Sequence, residues 1–273
     1  MQYSSSKWKH VFRSVLYNTI PPKVYIGVMP AYFKFFSKKR RGCTYRFKVE
    51  ENGRIVLFDA VTRFCFIGYR RLNRYLYPDG LGRKIRAMEK KYCIAGCSIE
   101  NGDVVVEVGA NVGEFTLMAS RNASKVYSFE PDPNCFFCLN ENTREMEHVE
   151  VIPQAASNMN SNQVFYVSSE DADSSLIQPK IYSNKIEIST VRLDSWMESK
   201  GLSGIDFLKI EAEGAEMEVL EGMGNEIKNV KKVSVDGGPE RYGKPTSNDV
   251  DQFLQLNGFH TRVKDYHVYA WKK

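Results

Sequence analysis

Apolar runs and helical patterns alternate along the chain from residue 101 onward. Four of the five apolar runs are followed by a segment with helical spacing of apolar residues, and the run 149–157 is followed by an insertion. Strands separated by helices indicate βαβ units and a parallel sheet covered on both faces. The runs that predict strands are 103–109, 124–130, 149–157, 205–212 and 231–237, and the segments that predict helices are 114–122, 132–146, 215–223 and 246–258.

The end of the chain has a different pattern. Residues 260–273 alternate between apolar and polar, which predicts a closing β-hairpin and an antiparallel last strand. Segments 163–169 and 186–194 predict two more strands around a polar insertion over one end of the sheet. The predicted fold is α/β: a Rossmann-like, doubly wound, mostly parallel seven-stranded sheet with an antiparallel last strand.

Residues 1–100 form a less regular region. Residues 45–59 predict a small hairpin turned at Asn52 and Gly53, and residues 63–95 predict helix on both sides of a turn at 78–80. We therefore expect two parts, a basic N-terminal extension or lid (1–100) and an α/β domain (101–273).

Charge divides the chain in the same place. Residues 1–100 hold 21 Lys and Arg against 6 Asp and Glu, a balance of +15, and the rest hold 17 against 27, a balance of −10, which together give the net +5. A basic part of this kind faces a phosphate-bearing substrate, an anionic membrane, a nucleic acid or only solvent.

The expected cellular compartment follows from three features that the sequence lacks. No apolar run approaches the roughly 20 residues of a membrane-spanning helix, the start has no secretory apolar region, and six cysteines do not form a disulfide scaffold. We expect a cytoplasmic protein, with docking of residues 20–41 on anionic membrane as an alternative.

The stretch "VVVEVGANVGEF" (104–115) joins a strand to a helix through glycines, which is typical of a site for a nucleotide-like ligand. A dinucleotide fingerprint needs G-x-G-x-x-G, and the spacing here is Gly109-x-Asn111-x-Gly113 instead. A P-loop needs Lys after its last glycine, and Glu114 stands there. Two acids, Glu107 and Glu114, also disfavour a pyrophosphate.

Acids at this turn suit a cationic ligand such as S-adenosylmethionine, which carries a sulfonium and an ammonium. Glu107 is placed to serve the ammonium, and the turn lets backbone carbonyls approach the methionine part. Glu130, at the end of the second strand, is placed to accept the ribose hydroxyls. The predicted cofactor-binding residues are Glu107, Gly109, Ala110, Asn111, Gly113, Glu130 and Ala155, the last beside the adenine.

These stretches resemble the FkbM-type S-adenosylmethionine-dependent methyltransferases. The resemblance covers about residues 100–260 and rests on "GDVVVEVGANVGEFT", "VYSFEPDPNCFFCLNEN", "VRLDSW" and above all "IDFLKIEAEGAEMEVLEG". The family's usual K-I-D-V-E-G-A-E reads here K-I-E-A-E-G-A-E, and its frequent first Asp is Glu107. The resemblance implies a class I methyltransferase fold and methylation of hydroxyl groups, often on sugars or glycosylated natural products.

Methyl transfer to an alcohol needs an aligned oxygen and a group that takes its proton. Ligands of open parallel sheets lie beyond the carboxyl ends of the strands. The acids there, Glu211, Glu213 and Asp236, are the predicted catalytic residues, with the first two preferred. The alternative role of Glu211 and Glu213 is that of acids at a helix N-terminus. His267, placed in the turn of the last hairpin, is a weaker candidate base.

Metal ligands are not expected. Cys135 and Cys138 fall inside a helix, and Cys93 and Cys97 have no histidine beside them. Magnesium beside Glu211 and Glu213 stays an open alternative. Sugar hydroxyls have further candidate partners in Asp171, Asp173, Ser174, Ser175, Tyr75, Tyr77 and Asp79.

Three functions therefore compete. The first is an O-methyltransferase acting on a sugar or glycoconjugate hydroxyl, with a small-molecule or glycan partner. The second is an RNA methyltransferase that uses the basic part, although no aromatic RNA-binding motif accompanies that part, so nucleic acid is the less expected partner. The third is a membrane-surface protein that only binds a nucleoside.

Overall fold

The computed structural model describes residues 24, 45–50, 54–68, 71–77, 79–167 and 174–272. Contacts along the chain separate two compact units, residues 1–81 and 82–273. The predicted domain boundary after residue 100 stays a prediction. The segment proposed for membrane docking, 20–41, falls outside the described residues except for Val24. Within the described ranges, no helix combines the length and apolarity needed to cross a bilayer.

The first unit contains a three-stranded antiparallel sheet in the order β1-β2-β3. Its strands are β1 (Arg46–Val49), β2 (Ile55–Phe58) and β3 (Arg63–Phe66). Pairing of β1 with β2 confirms the two strands of the predicted hairpin, whose turn lies outside the described residues.

The helix predicted to begin at residue 63 is wrong at its start. Residues 63–66 form β3 instead, because Phe64 and Phe66 are buried and their rings pack on Tyr75 with centroids 5.5 and 4.7 Å away. Aromatic residues fit a half-buried pleated surface well, and pairing with β2 decides the conformation here. Helices follow at α1 (Leu72–Tyr75) and α2 (Gly80–Tyr92).

The second unit is built on a seven-stranded sheet with the order β12-β13-β11-β10-β4-β5-β6. Strands β4, β5, β6, β10 and β11 run parallel, and β13 is antiparallel to both of its neighbours, β11 and β12. The predicted mostly parallel sheet with an antiparallel last strand is confirmed. The strands are β4 (Val104–Val108), β5 (Lys125–Phe129), β6 (Val149–Ile152), β10 (Ile205–Ile210), β11 (Val230–Asp236), β12 (His260–Lys264) and β13 (His267–Trp271).

Helices cover both faces of this sheet. On one face Leu208 and Ile210 of β10 pack in a core with Trp196 and Val219. On the other face the Phe207 ring stacks on Phe115, with centroids 6.2 Å apart. The helices of this unit are α3 (Glu114–Ala119), α4 (Pro133–Thr143), α5 (Leu193–Lys200), α6 (Glu216–Glu221), α7 (Ser247–Leu256) and a 3₁₀ helix (Gly224–Asn229).

The predicted insertion supplies two strands of a separate small sheet, ordered β7-β9-β8. Its third strand, β7, is the end of the run 149–157, which was predicted as one strand and divides into β6 and β7. Strand β7 is Ala155–Ala156, β8 is Ser161–Val167 and β9 is Asn184–Val191. The two predicted strands are confirmed, but the second ends at Val191 rather than 194. Residue 192 caps a helix that the sequence pattern did not predict, and this helix is α5.

Candidate active site

The turn after β4 has the backbone that its glycines predict. Gly109, Asn111 and Gly113 have φ of 75°, 55° and 96°, all in the left-handed region. A Cβ on Gly109 would lie 1.9 Å from the carbonyl oxygen of Glu211. The turn after β4 therefore packs directly against the backbone after β10, which leaves space only for glycine. Ala110 is buried beside it, and its N–H donates to the carbonyl of Phe129.

Glu107 lies wholly inside the protein beneath this turn. Its Oε2 accepts hydrogen bonds from Thr116 Oγ1 at 2.6 Å and Ser128 Oγ at 3.1 Å. Its Oε1 accepts no hydrogen bond from the described residues, although Lys209 Nζ lies 3.6 Å away. Burial raises the pKa of this carboxyl, against the positive charge of Lys209.

Lys209 is a central residue that the sequence analysis did not single out. Its side chain is buried in β10, and its ammonium donates to the carbonyl of Gly109 at 2.6 Å. It also lies 3.2 Å from Glu211 Oε2. One lysine thus connects Glu107, the glycine turn and Glu211. The available signal was a lysine between the apolar residues Leu208 and Ile210 of a buried strand, since such a charge needs a partner.

Glu130 follows β5 and is buried. Its two carboxylate oxygens accept the backbone N–H groups of Asn111 at 2.6 Å and Asp132 at 2.8 Å. Burial raises the pKa of Glu130 to about 7, against the effect of these two N–H donors. Glu130, which is predicted to accept hydrogen bonds from the ribose hydroxyls, therefore also fixes the backbone of the glycine turn. Ala155 is buried in β7 and packs with Phe165 and Ile188.

These features fit the predicted cofactor. The glycine turn has no room for side chains at Gly109 and little at Gly113, where a Cβ would come within 2.8 Å of Leu139. Among the described residues, none donates a hydrogen bond to the second carboxylate oxygen of Glu107. A backbone cradle that only glycine permits, next to an unsatisfied buried carboxylate, suits a ligand with a positively charged amine.

Two of the three predicted catalytic acids meet on one lysine. Lys91 Nζ lies 2.8 Å from Glu211 Oε1 and 2.7 Å from Asp236 Oδ2. Burial would lower the pKa of Lys91, but the negative charges of Glu211 and Asp236 raise it well above its ordinary value. Lys91 comes from α2, and no motif in the sequence pointed to it.

Glu211 is the more tightly held of these acids. Burial would raise its pKa, but Lys209 and Lys91 together hold the pKa well below the ordinary range of a glutamate. Asp236 pairs with one lysine and Glu211 with two. An acid held ionised by two cations is a weak proton acceptor.

Glu213 lies in a strained turn, with φ of 50°. Its carbonyl accepts a hydrogen bond from Ser175 Oγ at 2.7 Å, which ties the insertion to this loop. Of the other sugar-binding candidates, Asp171 and Asp173 fall outside the described residues, and Tyr75 is buried in the first unit. Burial removes Tyr75 from the candidates for contact with a sugar.

Glu216 is a second residue that the sequence analysis missed. Its buried carboxylate accepts the N–H of Gly214 at 2.9 Å and the hydroxyl of Thr246 at 2.7 Å. Burial raises its pKa, against these donors. This last acid of "KIEAEGAE" thus shapes the loop that carries Glu211 and Glu213.

His267 occupies a different position from the one predicted. It is the first residue of β13 rather than part of the hairpin turn, and it pairs in register with Asp236. Its Nε2 lies 2.8 Å from Ser234 Oγ, and its ring packs on Tyr92 and Tyr269. Burial lowers its pKa to about 4, so the ring is neutral at pH 7. Antiparallel pairing brings this residue to the same edge of the sheet as the acids.

Three of the described cysteines take structural positions. Cys135 and Cys138 are buried in α4, and Cys97 Sγ donates to the carbonyls of Val233 and Ala270. Burial raises the pKa of Cys97 to about 12. In the part of the chain that the structure describes, no three His, Cys, Asp or Glu side chains group as metal ligands.

The sequence around this site is similar to that of known proteins. The model of the methyltransferase FkbM domain family matches residues 107–261, more than half of the chain. This segment includes the glycine turn, Glu130, both acids after β10, and Asp236.

Three curated relatives align with the same region. The 2-O-methyltransferase NoeI of Sinorhizobium fredii is 28% identical over 54% of this chain and 68% of its own length. The hexuronic acid methyltransferase AglP of Haloferax volcanii is 31% identical over 50% of this chain and 56% of its own. The 31-O-demethyl-FK506 methyltransferase FkbM of Streptomyces tacrolimicus is 28% identical over 50% of this chain and 65% of its own.

Proposed function

Because the chain belongs to the methyltransferase FkbM domain family, we propose that it transfers a methyl group from S-adenosylmethionine to a hydroxyl group of a sugar or glycoconjugate. Residues 107–261 form its methyltransferase domain. The proposal adds three things to the family membership: the methyl donor, the class of acceptor and the residues that act in the reaction.

The observation that carries the proposal is the negatively charged edge around the glycine turn. Four acids lie at or next to the carboxyl ends of neighbouring strands there, beside the two ammonium groups of Lys91 and Lys209: Glu107, Glu130, Glu211 and Asp236. The two ammonium groups are already matched by Glu211 and Asp236, so they leave no positive charge for a pyrophosphate. A sulfonium with an ammonium favours the ionised forms of the buried acids Glu107 and Glu130, whose pKa values burial raises.

Six of the seven predicted cofactor residues have a defined task in this proposal. The backbone of Gly109, Ala110, Asn111 and Gly113 lies against the methionine part, and Glu107 balances its ammonium. Glu130 accepts hydrogen bonds from the ribose hydroxyls, in addition to the backbone N–H groups it already holds. When bound, S-adenosylmethionine supplies an electrophilic methyl group whose bond to sulfur breaks as the new bond to oxygen forms.

Asp236 is the proton acceptor that the geometry favours. Glu211 is paired with two lysines and has a strongly lowered pKa, so its role is to hold them in place. Asp236 pairs with one lysine, and 28% of its side chain is exposed, which leaves it open to a substrate hydroxyl. Glu213 shapes the rim of the site with the insertion.

The acceptor class rests on the relatives. One is named a 2-O-methyltransferase and another a hexuronic acid methyltransferase. The names of similar proteins therefore include an oxygen as the methylated atom and a sugar acid as the substrate. The opposing alternatives, RNA and a membrane surface, depend on the basic first part of the chain, and no contact of the described residues favours either of them.

Methyl transfer from labelled donor tests the proposal. We expect methyl glycosides of neutral sugars and hexuronic acids to gain the label with the parent protein, and Asp236→Asn to lower kcat by about 100-fold or more. Glu150→Gln, on an ion pair with Lys200, is the matched control and should retain full rate. Label that enters RNA but no glycoside would overturn the acceptor and support the second function.

A further inference from the structure

Lys91 is placed to act in the reaction as well as to hold two acids. Its side chain is 37% exposed, and those of Glu211 and Asp236 are 32% and 28% exposed, so the cluster faces outward at the carboxyl edge of the sheet. A lysine that served only as an internal ion pair would be expected to be enclosed.

The helix end that carries Lys91 is fixed from the sheet. The hydroxyl of Tyr269 in β13 donates to the backbone carbonyl of Lys91 at 2.7 Å. The next residue, Tyr92, is fully buried, and its ring packs edge-on against Phe115 and His267. Packing and a hydrogen bond therefore determine where the ammonium lies, as pre-organised catalytic groups require.

The hydrogen-bonding capacity of the ammonium is not exhausted. A lysine has three N–H donors. Two carboxylate oxygens, Glu211 Oε1 and Asp236 Oδ2, lie within hydrogen-bond distance of the ammonium. Apart from the face of the Tyr92 ring, whose centroid is 4.9 Å away, the described residues offer no third acceptor. The raised pKa of Lys91 keeps all three protons in place at neutral pH.

We propose that Lys91 is a catalytic residue whose third N–H donates to the acceptor oxygen beside the transferred methyl group, an inference that rests on the proposed function. The hydroxyl proton of the acceptor goes to Asp236, the oxygen bonds to the methyl carbon, and the electron pair of the broken carbon–sulfur bond stays on sulfur. Lys91 remains protonated and stabilises the negative charge that develops on oxygen. Glu211 keeps the ammonium aimed at this point.

Binding of two ligands that differ only at sulfur tests this placement without an acceptor. S-adenosylmethionine carries a positive sulfonium and S-adenosylhomocysteine a neutral thioether. If Lys91 lies beside the sulfur, Lys91→Met removes a repelling charge there. The ratio of Kd for S-adenosylmethionine to Kd for S-adenosylhomocysteine should then fall about fivefold or more. This is the size of effect expected when one unit charge is removed at a partly solvated site.

Three further variants define the result. Lys91→Arg keeps the charge and should keep the ratio of the parent. Lys90→Met changes the exposed neighbouring lysine and should also leave the ratio unchanged. Lys91→Gln is a second neutral variant, which carries the test if Lys91→Met does not fold, as judged by its thermal unfolding.

The outcomes separate the two proposals. A parent that binds both ligands, with an unchanged ratio in Lys91→Met and Lys91→Gln, overturns the role of Lys91 and leaves the proposed function in place. A folded parent that binds neither ligand overturns both. On an accepting glycoside, Lys91→Met should also lower kcat by about 10- to 100-fold while Lys90→Met does not.

Discussion

Gly109 is the residue on which the close approach between two loops depends. Gly109→Ala would combine left-handed backbone strain with a Cβ only 1.9 Å from the carbonyl of Glu211. Gly102 is the matched control, since its φ of 91° carries similar strain but no atom lies within 4 Å of its added Cβ.

We expect Gly109→Ala to lower the free energy of unfolding by about 1–3 kcal/mol more than Gly102→Ala does, because the loops must move apart. Urea unfolding of both variants measures this difference. Equal losses would mean that the approach of the two loops is not fixed in solution.

Glu130 gives the molecule a specific pH dependence. Its folded pKa of about 7 is above its ordinary value of 4.5. Between these pH values the folded protein keeps a proton that the unfolded chain releases, so the contribution of Glu130 to stability falls as pH rises through this window.

The parent should therefore lose about 3 kcal/mol of unfolding free energy relative to Glu130→Gln between pH 4.5 and pH 7. Comparing parent with variant at each pH cancels the opposite effect of His267, whose pKa is lowered to about 4. Urea unfolding across this range is the measurement. A constant difference between the two proteins would show that folding does not raise the pKa of Glu130.

At the scale of elements, α4 shows how a local signal determines a boundary. Asp132 is its N-cap and accepts the N–H groups of Asn134 at 2.8 Å and Cys135 at 3.3 Å, with Pro133 next to it. Asp132→Ala should lower the free energy of unfolding by about 1 kcal/mol, and Asp132→Ser should recover most of it.

Asp249→Ala, in the first turn of α7, is the comparison for this cap. It removes an acid near a helix N-terminus without removing a cap, so its effect should be a few tenths of a kcal/mol. Thermal unfolding measures all three variants. Equal losses for Asp132→Ala and Asp249→Ala would mean that the side-chain cap contributes nothing beyond its charge.

Elements with strong local patterns were predicted, and those decided by long-range contacts were not. Valine-rich β4 and the capped α4 lie where the sequence indicated. Strand β3 was wrongly predicted as helix because its pairing with β2 involves residues outside its own window. Helix α5 was missed because the apolar and polar alternation of β9 continues to its first residues.

At the scale of the whole molecule, sheet topology explains which site residues could be predicted. Parallel strands bring the residues after β4, β5, β10 and β11 to one edge, so acids far apart in sequence could be assigned to one site. Lys91 could not be, because its approach depends on how α2 packs on the sheet. Only the antiparallel register of β13 places His267 beside Asp236.

The central claim is that the glycine turn and Glu130 hold S-adenosylmethionine. Calorimetry of this ligand and of S-adenosylhomocysteine tests it most directly, on the parent, on Glu130→Ala and on the control Glu150→Ala. We predict micromolar binding of both ligands to the parent and to Glu150→Ala, and a loss of binding in Glu130→Ala with the fold retained. A folded parent that binds neither ligand would contradict the account.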